Sequence, residues 1–268
     1  MVHSQRSFKL VVGILSFLLL QACQAPVAEE SATEVVITHN ELPEMLQKTL
    51  DAHGGMQQWR TFQSLSYAVN FNDRIMDQQR VDLPSRKVLI SGEDFRLGFD
   101  GTDVWYIGRE EQDFPAGSAR FYHNLHFYFF AMPFVFADPG LQYQSLGKKS
   151  FRGINYDVLQ ITYKNGVGDS PDDEYIIYLH PETHQMTLLL YTVTYFSKQE
   201  SREYSARLYK DWQWTNGMLL PYICEKYQWQ DDSLGELQYT NSYTDVLLDA
   251  LPVDQSMFLA PAEASISY

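Results

Sequence analysis

Two pairs of histidines offer the first candidate chemistry. His123 and His126 stand three apart, a spacing that puts both imidazoles on one side of a helix, and His180 and His184 flank a turn signal. Either pair supplies two metal ligands, but a zinc centre takes three or four in a recognisable spacing. The chain has no H-E-x-x-H run and no cysteine pair to complete one. We therefore assign no metal ligand and read both pairs as hydrogen-bonding groups. Asp169, Asp172, Asp173 and Glu174 place four carboxylates within six residues, between two predicted strands, where they could hold Ca²⁺. Pro171 breaks the calcium-loop spacing, and a solvated tight turn accounts for the same composition. For nucleophilic catalysis the chain has no G-x-S-x-G and no strand–helix alternation to carry one. Cys224 has no histidine after His184 to activate it, and Pro221 to Cys224 reads as the start of a strand, so it is expected as a packed core residue. Asp231 and Asp232 fall in a predicted hairpin turn. No catalytic residue and no cofactor follow from these patterns, and the chain is not read as an enzyme.

The other chemistry lies at the N-terminus. Arg6 and Lys9 precede an apolar run over 10–20, and Leu20, Gln21, Ala22 and Cys23 follow it. A charged start, a short apolar run and a small residue before the cut are the parts of an export signal. The tetrapeptide looks like a lipobox, which implies cleavage after Ala22 and acylation of Cys23. The apolar run is shorter than the ~20 residues a membrane-spanning helix needs. Residues 1–22 are thus expected to be a lipoprotein signal peptide. Residues 23–40, rich in Ala, Pro, Glu, Ser and Thr, are a lipidated flexible tether, and 41–268 form a single domain.

Net charge is −14, and loss of Arg6 and Lys9 with the signal makes the mature chain more acidic still. Nucleic acid is excluded as a partner, since binding to it comes mainly from Lys and Arg neutralising phosphate. Membrane attachment is expected through the acyl anchor rather than through surface charge.

The elements behind these residues begin with Leu42, Met45, Leu46, Thr49 and Leu50 at helical spacing. His53, Gly54 and Gly55 stop that helix, and a short second helix over 56–60 carries Trp59. The period then changes. Strand patterns cover 64–72, 87–91, 95–99, 104–108, 142–146, 156–163, 174–179, 185–196, 205–214, 219–230 and 234–247. Asp100–Gly101 reads as a two-residue hairpin signal, and Asn216–Gly217 as another turn. About 10–11 strands at near-regular spacing predict a mainly β fold with some α, a meandering antiparallel sheet curling into a barrel or half-barrel. Residues 118–136 interrupt the pattern with aromatics on every side, predicting a helix that is buried or set in a cavity mouth, ended or kinked by Pro133.

The lipobox, the His53–Gly55 helix stop, Trp59, the stretch 99–105 with Asp100, Gly101 and Trp105, and the terminal Phe258, Leu259, Ala260 and Pro261 occur in an order that resembles the lipoprotein-sorting (LolA/LolB-like) half-barrel superfamily. More closely, the stretches 127–134 and 166–173 resemble an uncharacterised family of bacterial lipoproteins. The resemblance implies a curved antiparallel sheet wrapping around the N-terminal and central helices and enclosing an apolar hollow for acyl chains. On that fold Phe127, Phe130, Met132, Phe134 and Phe136 would plug or line the concave side, with Trp59, Trp105 and Trp214 contributing; the alternative is that the same residues fill a closed core. The implied function is a lipid-anchored envelope lipoprotein holding a hydrophobic ligand, an acyl chain, lipid or lipoprotein. The alternatives are a structural envelope lipoprotein with protein partners, and a hydrolase using histidines or acids at the cavity mouth. Gln24, which is not acidic, follows the acylated position and points to the outer membrane in preference to the inner. Oligomeric state is left open.

Overall fold

The computed structural model describes residues 42–72, 74–164 and 170–268. The signal segment, Cys23 and the tether expected over 1–40 lie outside the described residues. Helix α1 forms over Glu44–Ala52, where Leu46, Thr49 and Leu50 bury one face. Its stop does more than end a helix. Gly54 has φ of +108°, and a Cβ there would stand 2.3 Å from the Gly217 carbonyl oxygen, so the helix end docks tightly on a distant hairpin. His53 fastens the same joint: its Nδ1 bonds the Leu219 carbonyl at 3.0 Å, its Nε2 accepts from the Met186 N–H at 3.3 Å, and its carbonyl accepts from Leu219 N at 2.9 Å. That pattern fixes a neutral Nδ1–H tautomer, and burial pushes the imidazole down to about 4. A second helix, α2, spans Met56–Trp59.

Thirteen strands follow among the described residues: β1 Ser64–Phe71, β2 Arg74–Asp82, β3 Val88–Gly92, β4 Arg96–Phe99, β5 Val104–Ile107, β6 Leu141–Phe151, β7 Ile154–Tyr163, β8 Glu174–Leu179, β9 Met186–Tyr191, β10 Ser205–Thr215, β11 Met218–Gln230, β12 Ser233–Asp249 and β13 Ser265–Ser267. They form one antiparallel sheet in the order β13-β5-β4-β3-β2-β1-β12-β11-β10-β9-β8-β7-β6. Two meanders, β1 to β5 and β6 to β12, meet at a seam where the first strand pairs with the twelfth, Leu65 opposite Leu248 and Val69 opposite Tyr243. The expected strand count of about 10–11 was low by two short or polar members. β2 reads R-I-M-D-Q-Q-R-V-D and turns Asp77 and Gln79 inward, so its inner face carries no hydrophobic alternation. β13 is three residues long.

Turn chemistry sets the meander. Asn216 and Gly217 both hold positive φ, as a two-residue hairpin turn requires, and so do Asp231 and Asp232. The Asp100–Gly101 signal builds a longer connection than expected. Phe99 pairs with Val104, and the Asp100 carboxylate caps the intervening loop by accepting the N–H groups of Thr102 and Asp103, each at 2.9 Å.

β5 and β6 stand near opposite ends of the sheet, so the chain between them must cross one sheet face from end to end. Helix α3, Ala119–Ala131, is that crossing, capped by Ser118 accepting from Phe121 N and followed by a 3₁₀ turn over Phe134–Ala137. It touches β4 and β5 at one end and, through Phe129 against Tyr191, β9 at the other. β5 and β9 are eight places apart in the strand order. On a flat sheet that is about 38 Å, while a helix of this length reaches about 20 Å, so the sheet bends toward the helix.

The core sits where α3 meets the seam. Phe130 stacks on Tyr67 of β1 at 4.4 Å and meets Tyr243 of β12 edge-on at 5.1 Å; Trp59 stacks on Phe134 at 4.5 Å. Cys224 is buried in the same cluster, as the sequence led us to expect, and burial pushes its thiol up to about 12. On the opposite sheet face Val158, Tyr178, Leu188, Leu190 and Leu208 form a second cluster, covered by Tyr227, Trp229 and Leu234 from the β11–β12 hairpin.

Phe130→Ala should therefore act on stability: loss of about 3–5 kcal/mol in urea unfolding is expected, from the transfer and cavity terms together. A loss below about 1 kcal/mol would mean that the seam collapses freely around the gap.

Candidate ligand-binding site

The residues of α3 fall into two apolar stripes. Tyr122, His126, Phe127 and Phe130 face the seam and the packed core. Phe121, Leu125, Tyr128, Phe129 and Met132 recur at helical spacing on the other side, where they line a hollow of about 600 Å³ that opens to solvent. A helix apolar all round is thus needed because both of its sides face protein, one side filled and the other open.

The opposite wall comes from the far end of the sheet, Tyr163 of β7, Tyr175 of β8 and Tyr191 of β9, with Val193 and Tyr195 just beyond β9. Phe99 at the end of β4 and the β2–β3 turn close the third side. Eight aromatic rings line the hollow, three Phe and five Tyr. Polar groups sit at fixed places among them. Tyr163 and Tyr175 share a hydrogen bond, and burial raises both hydroxyls above the usual tyrosine range. Arg86, held in the β2–β3 turn, gives a two-oxygen ion pair to Asp138 at 2.8 and 3.1 Å and lays its guanidinium 4.9 Å from the Phe127 ring. Burial raises the Asp138 carboxyl above its ordinary value in spite of that cation. Asp173 Oδ1 accepts from the N–H and Oγ of Thr194 at 2.6 and 2.8 Å, fixing the segment after β9. A second hollow, near Met76 and Tyr122, is bounded by the charged Glu93, Asp94 and Arg109.

A buried polar chain holds the helix in place. Tyr122 donates to Asp77 of β2, Gln79 Nε2 donates to the other oxygen at 3.1 Å, and Tyr67 donates to Gln79 at 2.7 Å. Burial raises Asp77 to about 6 against the opposing pull of the two donors. At the helix C-terminus Tyr209 donates to the Phe129 carbonyl at 2.9 Å, and Tyr143 to the Phe136 carbonyl at 2.7 Å. Both helix ends are therefore anchored to strands from different meanders.

Of the eight side chains expected around a ligand, Met132 lies on the wall of the hollow. Trp59, Trp105, Phe127, Phe130, Phe134 and Phe136 are buried in the packed interior, off that wall. Trp105 donates its indole N–H to the Phe258 carbonyl at 2.7 Å, and its ring lies over Gly98, where a Cβ would stand 2.4 Å away. Trp214 points to solvent at 65 % exposure beside the β10–β11 turn, although Met218 across that turn is buried in the core. Sequence reasoning took the most hydrophobic residues of the aromatic segment. The wall is made instead by their neighbours one helical step away and by tyrosines of strands that follow much later in the chain.

Of the histidines read as hydrogen-bonding groups, His123 and His180 bond through Nδ1, whereas His126 is buried with Nδ1 unpaired; His123 also lines the hollow. His126 meets Tyr122 and Tyr243 edge-on, His123 packs against Phe99, and His180 Nδ1 accepts the N–H groups of Glu182 and Thr183 in the β8–β9 turn. Among the described residues no three His, Cys, Asp or Glu side chains converge as a metal site. The acidic segment falls partly outside the described residues, which exclude Asp169.

Residues 100–220, which carry α3 and much of the cavity wall, match the model of a family of unknown function, DUF6503. Among curated proteins no sequence matches the chain. Several solved structures are similar to it. A DUF1329 family protein from Desulfovibrio piger is 11 % identical at a TM-score of 0.45, covering 81 % of this chain and 98 % of its own. A LolA superfamily protein from Nitrosomonas europaea is 11 % identical at 0.41, over 81 % and 96 %. An outer membrane lipoprotein-sorting protein domain from Vibrio parahaemolyticus is 8 % identical at 0.41, over 79 % and 97 %. The last two bear the superfamily description that the sequence resembles; likeness this loose carries no ligand or residue role across.

Asp77 gives the positioning network a pH signature. Its carboxyl titrates near 3.8 in an unfolded chain and about 6 in the fold, so between those values the folded state holds a proton the unfolded chain has released. Its contribution to stability then falls as pH rises from about 4 to about 6. Asp77→Asn removes that slope. In urea titrations the stability of the variant relative to wild type should rise by about 1–3 kcal/mol across the window. A flat difference would show that Asp77 titrates as an ordinary carboxylate.

Proposed function

We propose that this protein is a lipid-anchored envelope lipoprotein that holds a hydrophobic or amphiphilic small molecule in the hollow between α3 and the β7–β9 end of the sheet. The observation that carries the reading is the hollow itself: about 600 Å³, open on one side, walled by eight aromatic rings and supplied with a few fixed polar groups. Sites for small organic ligands have that size and that mixture. Burying an apolar body there would contribute about 25 cal/mol for each Å² removed from water, with little demand on geometry.

The remaining parts of the reading follow from the sequence. Residues 1–22 act as the signal, Cys23 takes the acyl chains, 23–40 serve as a tether, and 41–268 form one half-barrel domain whose sheet wraps around the helices. Outer-membrane attachment is favoured by Gln24. A binding role is favoured over an enzymatic one because three polar groups of the hollow are already engaged: Arg86 with Asp138, Asp173 with Thr194, and Tyr163 with Tyr175. A general base or nucleophile requires a group free to meet the reacting atom.

The test is uptake of a neutral hydrophobic fluorophore, N-phenyl-1-naphthylamine, by the mature chain carrying Cys23→Ser. Wild-type walls should give saturable fluorescence enhancement, and Leu125→Trp, which projects a larger ring into the hollow, should weaken it about tenfold or more with circular dichroism unchanged. No uptake by the parent chain, or uptake indifferent to Leu125→Trp, would leave an anchored scaffold that binds protein partners.

A further inference from the structure

Arg207 on β10 is 1 % exposed, the second-largest fully buried side chain among those described. Its Nη1 donates to Asn241 Oδ1 and its Nη2 to the Tyr239 hydroxyl, each at 3.1 Å, and its Nε has no partner. The guanidinium lies 3.7 Å from the centroid of the Phe129 ring. Among the described residues no carboxylate pairs with it. The ionisable groups that face it are the hydroxyls of Tyr191, Tyr209, Tyr239 and Tyr243, the thiol of Cys224 and the buried imidazole of His126, none of them an anion. A guanidinium stays charged at any working pH, and taking a cation out of water without a counter-ion is strongly unfavourable. Two neutral acceptors and an aromatic face offset part of that cost. A well-packed apolar residue would fill the same space without it.

The place of this cation relates it to the hollow. Phe129, against whose ring it lies, and Tyr191, which faces it, are both wall residues of the hollow. The charged side chains on the wall itself, Arg86 and Arg120 with Asp138 and Asp173, balance in sign among the described residues. Arg207 is thus a surplus positive charge one ring's thickness behind the wall, in surroundings where a field is weakly screened.

We propose that the ligand of the hollow is an anionic amphiphile, an apolar body ending in a carboxylate, whose head group settles beside Phe129 and Tyr191 and supplies the counter-charge that the fold withholds from Arg207. This rests on the reading of the hollow as a binding site and narrows its ligand class. The apolar body lies against Leu125, Tyr128 and Met132, and the head faces the end of α3 where Tyr209 already holds the Phe129 carbonyl. Phe129 keeps water from the guanidinium and sets how closely a head group approaches it.

Displacement of N-phenyl-1-naphthylamine from the Cys23→Ser chain at pH 8 separates the outcomes. Dodecanoate should displace the probe at about tenfold lower concentration than 1-dodecanol, which has the same chain length and no charge. Arg207→Gln should bring the two ligands within about twofold of each other, while Arg207→Lys should retain the preference. Should Arg207→Gln fail to fold, Arg120→Gln combined with the double variant Arg86→Gln/Asp138→Asn decides the source. Together these changes remove both wall cations, and the preference should be kept. Equal displacement by both ligands, a preference that survives Arg207→Gln in a folded protein, or a preference lost in the variant without wall cations would each overturn the proposal. In all three cases probe uptake persists and the hollow remains a binding site. Absence of probe uptake is the separate result that removes the binding site itself.

Discussion

A single chain crossing governs this architecture. The two meanders leave β5 and β6 at opposite ends of one sheet, and the segment between them has to travel over the sheet face. A helix of thirteen residues makes most of that crossing, and the sheet must bend to meet it at both ends. Tyr67 and Tyr243 at the seam, Tyr209 on β10 and Tyr191 on β9 all reach the helix, so its position is fixed by strands from both halves of the chain. Apolar surface on every side of the helix follows from this placement. One side meets the seam at packing distance; on the other, Phe129 reaches Tyr191 and Phe121 reaches Tyr195, and a hollow is left between those contacts and the β7–β9 end of the sheet.

Polar groups within this interior have positional work. Asp77, Gln79 and Tyr67 tie the start of α3 to β1 and β2, and His53 ties the end of α1 to β9 and β11. Each group is hydrogen bonded, which is what buried polarity requires if it is to orient elements without a large stability cost. Three side chains depart from that rule, His126 at Nδ1, Tyr243 at its hydroxyl and Arg207 at Nε, and of these Arg207 is the cation, with no carboxylate partner among the described residues. Arg207 lies directly behind the wall of the hollow. Local rules of packing and polar satisfaction tend to fail at functional sites.

Much of the fold was legible in the sequence for physical reasons that can be named. Period-two alternation gave the strands with a buried hydrophobic face, and Asn216–Gly217 and the His53–Gly55 stop were read from turn and cap chemistry. β2 was illegible because two of its inward positions are Asp77 and Gln79, polar residues that bond each other and the hydroxyls of Tyr122 and Tyr67 on other elements. The site was less legible. Periodicity identifies which residues of 118–136 are apolar, but which side of the helix stays open depends on where β7, β8 and β9 end up. That is a matter of sheet bending and long-range register. Met132 was anticipated on the wall, while Leu125, Tyr128, Tyr163 and Tyr175 were not. Trp214 misled because an exposed tryptophan close to a hairpin turn carries the same letter as a buried one. The role of His53 could have been suspected from a histidine immediately before a glycine pair, although its partners Met186 and Leu219 lie over 130 residues away.

The central claim is that one side of α3 is closed and the other is open to a ligand, and photolabelling reads the two sides separately. A small hydrophobic diazirine probe, irradiated with the purified protein and mapped by peptide sequencing, should label Leu125, Tyr128 and Met132 together with Tyr163 or Tyr175. His126 and Phe130 should stay unlabelled. Adducts spread over the outer sheet face or gathered around Trp214, with none on the Leu125–Met132 side of the helix, would contradict the account.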